Sequence, residues 1–148
     1  GGVMKQHRPT EAQIWQRVRG PEAQEQQTLH MLLRQLQADT DYLRQLSAQN
    51  PEQPLLKQLI QEYTGQNNCI KGILLLSIGS IPKTAGGSCD SLRRCYDHNL
   101  QRLAAYRLRC ADPIYGAAFT RLAGQSEAHC CTLAQLLGLG LREIKKSR

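Results

Sequence analysis

Apolar residues recur at three- and four-residue steps along four stretches of this chain, and each stretch is closed by helix punctuation. From about Glu22 to Gln49 the stripe is Leu29, Leu32, Leu33, Leu36, Leu43 and Leu46, stopped by Asn50-Pro51. From Glu52 to Ser77 it is Leu56, Leu59, Tyr63, Ile70, Ile73 and Leu74, with Pro54 in the first turn. From Ser88, read as an N-cap, to Cys110 it is Leu92, Cys95, Tyr96, Leu103, Tyr106 and Cys110. From Asp112-Pro113, read as the next start, to Gly138 it is Tyr115, Phe119, Leu122, Ala123, Cys130, Leu133 and Leu137. Ahead of these, the capping box Thr10-Glu11-Ala12-Gln13 predicts a short helix through Val18, ended by Arg19-Gly20-Pro21. Its Trp15 is expected to cover one end of a bundle.

No stretch reads as a strand, so the expected class is all-α, with four amphipathic helices of similar length packed as a bundle. The connections at Asn50 and at Ala111–Pro113 are short and predict antiparallel neighbours. The middle connection, Gly79 to Gly87, spans roughly 30 Å when extended. It suffices either to turn back or to cross the length of the bundle, and the sequence leaves both open. The expected division is an N-terminal segment over 1–20, the bundle over 21–141 and a mobile basic tail over 142–148. Residues 1–9 carry no pattern.

Each stripe is interrupted once near its middle by a neutral polar residue: Thr40, Gln66, Asn99 and Ser126. Tyr63 precedes Gln66 by three residues and His129 follows Ser126 by three. Two such i, i+3 pairs and two single positions reproduce the spacing that builds a di-metal centre in a bundle core. Here the groups are largely uncharged, and they are expected to meet as a hydrogen-bonded polar layer; the alternative is that each bonds to the backbone of its own helix.

Composition narrows the function classes. With 41% hydrophobic and 21% charged residues among 148, the chain suits one ordinary domain and not a disordered tail. No apolar run approaches the roughly 20 residues of a membrane span. Gly1-Gly2 reads as the scar of a shortened start, which leaves a removed leader open. The net charge of +7 raises the question of nucleic acid. Arg93, Arg94, Arg102, Arg107 and Arg109 are spread along one helix without interleaved aromatic residues, so a solvated face is the reading. Lys145, Lys146 and Arg148 belong to the tail. The loop GSIPKTAGG lacks the spacing of a phosphate cradle.

The six cysteines include no CxxC pair. Cys69, Cys95, Cys110 and Cys130 fall on core faces and are read as reduced thiols; Cys89 and Cys131 are the candidates for exposed ones. A cytoplasmic setting follows. His98 is placed at the surface, His30 lies off the centre of its stripe, and His7 is in the patternless start. Ser126 and His129 share a face but lack a third member or an oxyanion donor, so no hydrolytic triad is arguable.

At this point the chain resembles the ferritin-like, rubrerythrin-type bundles, particularly small bacterial ones. The likeness rests on LLRQLQADTDYLRQLS, on PLLKQLIQEYTGQNNCIKGILLLSIG and on LRRCYDHNLQRLAAYRLRCADPIYGAAFTRLAGQSEAHCCTLAQLLG. Members commonly read ADE at Ala38-Asp39-Thr40, DExxH at Glu62 to Gln66 and EExxH at Gln125 to His129. The resemblance implies a ferritin-like antiparallel four-helix bundle. It places the carboxylate ligands at Thr40, Tyr63, Asn99 and Ser126, and the histidine ligands at Gln66 and His129. None of the four carboxylates is present. Iron or manganese needs anionic oxygen donors, so no cofactor is expected. The resulting expectation is a non-catalytic bundle with a lost di-metal centre, acting as a homodimer or through a protein partner. The alternative is a redox protein holding iron or manganese through substitute ligands, for which Glu62, Glu127 and His129 are the candidates.

Overall fold

The computed structural model describes residues 11–80 and 87–144, with side chains described from Glu25 onward in the first helix. Four helices make up the described chain: α1 (Glu11–Gln49), α2 (Pro54–Ile78), α3 (Leu92–Arg107) and α4 (Gly116–Leu137). The described residues form no strand.

The predicted break at Arg19-Gly20-Pro21 is absent, and α1 is one helix of 39 residues, about 58 Å long. Proline removes a single backbone donor, while its fixed φ near −65° already suits a helix. The separate short N-terminal helix is therefore corrected to the first turns of α1. The expected role of Trp15 lies outside the described side chains, as the pattern of residues 1–9 lies outside the described residues.

The other boundaries shift by smaller amounts. The cap of α3 is Ser91, not Ser88: its side chain accepts from the Arg94 N–H at 3.0 Å. Asp112 does accept, through Oδ1, from the N–H groups of Ile114 and Tyr115, but this closes a turn that feeds α4 and is not the first turn of the helix itself. Gly79 ends α2 at φ 75°, a backbone conformation only glycine reaches without strain.

Packing fixes the topology. α1 lies against α2 and α3 against α4, with lesser contacts between α1 and α3 and between α2 and α4. Along α1 and α3, Glu25 meets Arg109, Gln35 meets Gln101 and Asp39 meets His98, so the two run antiparallel. Between α2 and α4, Tyr63 meets His129 and Gln66 meets Gln125, again antiparallel. Across the diagonal, Arg102 lies over Tyr63 and Tyr106 bonds to Gln66, so α2 and α3 point the same way. The connection between them therefore crosses the length of the bundle. Its residues 81–86 lie outside the described residues. Where it re-emerges, Gly87 sits on α1 so closely that a Cβ there would stand 2.5 Å from the Arg34 carbonyl oxygen.

The core follows the predicted stripes in α1 and α2, and less fully in the last two, where Leu92, Tyr96, Cys110, Tyr115 and Cys130 are half-buried against it. All six leucines of the α1 stripe are buried, as is every stripe position of α2. In α4, Leu136 is buried in place of Leu137, which is exposed. Each fully buried leucine contributes roughly 1.5–3 kcal/mol, so this core is the main source of stability. Gly65, in the interior of α2, has no atom near the place of a Cβ.

The tail begins later than predicted. Asn50 is buried, and its amide bonds Leu46 O and Arg142 O at 2.9 Å while its carbonyl accepts the Arg142 N–H. Leu141 and Ile144 pack against the core. Residues 141–144 are thus docked, and the expected mobility of 145–148 lies outside the described residues.

Among the described residues, no helix is long and apolar enough to cross a membrane.

Candidate functional site

The six positions singled out as a polar layer are all inward. Thr40, Tyr63, Gln66, Asn99, Ser126 and His129 are each buried. They do not form one side-chain network. Thr40 donates to the Leu36 carbonyl on its own helix. Asn99 donates at 2.8 Å to the backbone carbonyl of Ser126 and at 3.1 Å to the Cys130 sulfur, while Ser126 Oγ has no partner. Gln66 receives the Tyr106 hydroxyl at 3.1 Å and donates to Gln125 at 3.3 Å. The local bonding of Thr40 follows from geometry: a hydroxyl on a helix reaches the carbonyl one turn back more easily than a partner across the core.

His129 is buried among its neighbours. Its ring meets Tyr63 edge-on, with centroids 5.1 Å apart. Its Nε2 stands 3.3 Å from Glu62 Oε2, an ion-pair distance. Burial pushes its pKa below 6.5, and Glu62 opposes that only in part. His129 is therefore neutral at pH 7.

Two charged residues, one of them read from the sequence as part of a solvated face, stand at the same waist. Asp39 and Arg102 are both 0% exposed. Arg102 Nη1 donates to Asp39 Oδ2 at 2.7 Å, and His98 Nδ1 meets the other carboxylate oxygen at 2.7 Å. The guanidinium also lies over the Tyr63 ring, 5.0 Å from its centroid. Burial works against the charge of Arg102, but Tyr63 and Asp39 outweigh it and hold the proton more tightly than usual. Burial likewise raises the pKa of Tyr63 and Tyr106, so both keep their protons. Three expectations are corrected here. Arg102 is not part of a solvated face, His98 is not free at the surface, and Arg109 is mostly buried in a pair with Glu25. The signal was present in the spacing: Leu36, Asp39, Leu43 and Leu46 share a face, as do Cys95, Asn99, Arg102 and Tyr106. Charge hid it.

The donor set at the implied ligand positions does not fit iron or manganese. It offers two hydroxyls, two amides, one phenol that keeps its proton and one imidazole, with a fixed guanidinium beside them. The substitute ligands are not gathered either. Glu127 is 56% exposed and paired with Arg107, on the outside of α4, while only Glu62 approaches His129.

The cysteines are all free thiols: Cys95 is buried, Cys69, Cys89, Cys110 and Cys130 are half-buried, and Cys131 is exposed. No protein-family model matches the chain, nor does any curated protein or solved structure at a significant level.

Proposed function

We propose that this protein is a ferritin-like bundle whose di-metal centre has been lost, and that it works without catalysis, as a homo-oligomer or as a module that binds a protein partner. The buried Asp39–Arg102 pair carries this reading. In a ferritin-like bundle, carboxylates at the waist are neutralised by metal ions. Here the one buried carboxylate of that level among the described residues is neutralised by a guanidinium from the neighbouring helix. The single crossover between two antiparallel hairpins supports the ferritin-like part. A binding role draws on the surface: Leu76 and Ile114, each 77% exposed, flank a cleft that reaches Leu29, Ile73 and Phe119. The free thiols suit a reducing, cytoplasmic setting.

Metal analysis of protein purified under iron- and manganese-replete conditions tests the reading. Iron and manganese far below one ion per chain are expected. About two ions per chain, lost on His129→Ala, would overturn it. Light scattering should show a dimer that Leu76→Glu with Ile114→Glu converts to a monomer; a wild-type monomer at high concentration ends the oligomer part.

A further inference from the structure

A second cluster lies on the flank of the bundle, where the crossover meets α1 and α3. Asp39, Cys89 and His98 each offer a ligand atom within 4.8 Å of the others. Cys95 lies beside Cys89, the two sulfurs 3.2 Å apart, but stands outside that group of three. The four residues come from three segments: Asp39 from α1, Cys89 from the crossover, Cys95 and His98 from successive turns of α3. This set is separate from the positions the resemblance implies, which lack thiols. We propose that Asp39, Cys89, Cys95 and His98 form a binding site for one zinc-type divalent cation.

Three arguments carry it. The first is the donor set. Two thiolates, an imidazole and a carboxylate match a borderline-soft tetrahedral ion, where the waist matches none. The second is distance. Zinc–sulfur bonds of about 2.3 Å put two thiolates on one ion about 3.8 Å apart, while a disulfide needs about 2.05 Å. The sulfur separation of 3.2 Å is nearer to the shared-ion value. The short crossover backbone around Cys89 has no regular structure to resist the remaining shift.

The third is charge. Without the ion, Asp39 and Arg102 cancel and both thiols are neutral. Binding converts Zn²⁺ and two thiols into two zinc–thiolate bonds and two released protons. The ion, two thiolates, Asp39 and Arg102 then also sum to zero. The buried flank thus takes up the ion without gaining net charge. In this arrangement Arg102 is a positioning residue: it holds Asp39 Oδ2, while Oδ1 exchanges its contact with His98 Nδ1 for the ion. Cys89 also lines a surface cleft of about 470 Å³ with Tyr42 and Arg93, which gives the ion a way in.

Cobalt(II) titration of the full, reduced chain tests the site. One equivalent of cobalt should give the thiolate-to-metal charge-transfer band and the visible bands of a tetrahedral ion, and zinc should displace it. Cys89→Ser, on the half-buried crossover, should abolish the charge-transfer band while circular dichroism stays native. Asp39→Asn should weaken cobalt binding by more than about 10-fold, since losing an anionic ligand costs at least as much as losing an outer-shell partner. His129→Gln should leave the spectrum unchanged. Absence of the band in reduced wild-type protein overturns the proposal, as does a band that survives Cys89→Ser. So does a Cys89–Cys95 disulfide, found by mapping the reduced protein after mild oxidation, if cobalt does not protect the two thiols from it. Failure here leaves the reading of the waist standing, since that rests on iron and manganese content and on His129.

Discussion

The flank between α1 and α3 and the interior between α2 and α4 sit at one level of the same bundle, yet they handle polarity differently. On the flank, charge is buried with its partner: Asp39 is bonded on one oxygen by His98 and on the other by Arg102. In the interior the groups are neutral, and several lack partners, including Ser126 Oγ, Tyr63 Oη and the unpaired face of His129. A full charge can stay in a core only when a second element supplies its counter-charge; a neutral hydroxyl can stay there unpaired at a modest penalty. Arg102 Nε and Nη2 also lack hydrogen-bond partners, but the charge itself is paired, so the flank is the specified half of the waist and the interior the tolerant half.

The largest effect should come from splitting the buried pair. In metal-free protein, Asp39→Leu or Arg102→Leu alone should lower stability by about 3–5 kcal/mol, because each strands a buried charge. Asp39→Leu with Arg102→Met should cost far less than the two together. Urea unfolding measures all three, and single costs under about 1 kcal/mol, the range of a surface pair, would erase the distinction between the regions.

A smaller contrast separates two neighbours in the interior. Asn99→Ala removes donors to the Ser126 carbonyl and to Cys130, and should cost about 1–3 kcal/mol. Ser126→Ala removes a buried hydroxyl without a partner, and should be neutral or stabilising by up to about 1 kcal/mol. Equal losses at both positions would show that Ser126 belongs to a network after all.

The gentlest test is acid. His129 faces Glu62 and Tyr63 on α2 and Arg102 on α3, and its folded pKa is held below 6.5 by burial. Above pH 6.5 it is neutral folded or unfolded and contributes no slope. As pH falls below 6.5 the unfolded chain takes up a proton that the folded one refuses, so stability declines until the folded pKa is passed. His129→Gln should flatten that part of the stability profile. A slope that survives the change would assign the effect to another group.

The apolar stripes were enough to determine that this chain is helical, where α2 lies and which face of each helix turns inward, because helical periodicity is local and the leucines that obey it are numerous. They also exposed the polar interruptions at Thr40, Gln66, Asn99 and Ser126. The continuity of α1 through Pro21 escaped, since one missing donor is a weak reason to stop a helix that the rest of the chain favours. Asp39, Arg102 and His98 escaped for another reason. Whether a charge faces water or the core depends on what stands opposite it, and those partners lie about 60 residues away in the chain. Only the packing of α3 against α1 brings them together, and only the crossover carries Cys89 to the same place.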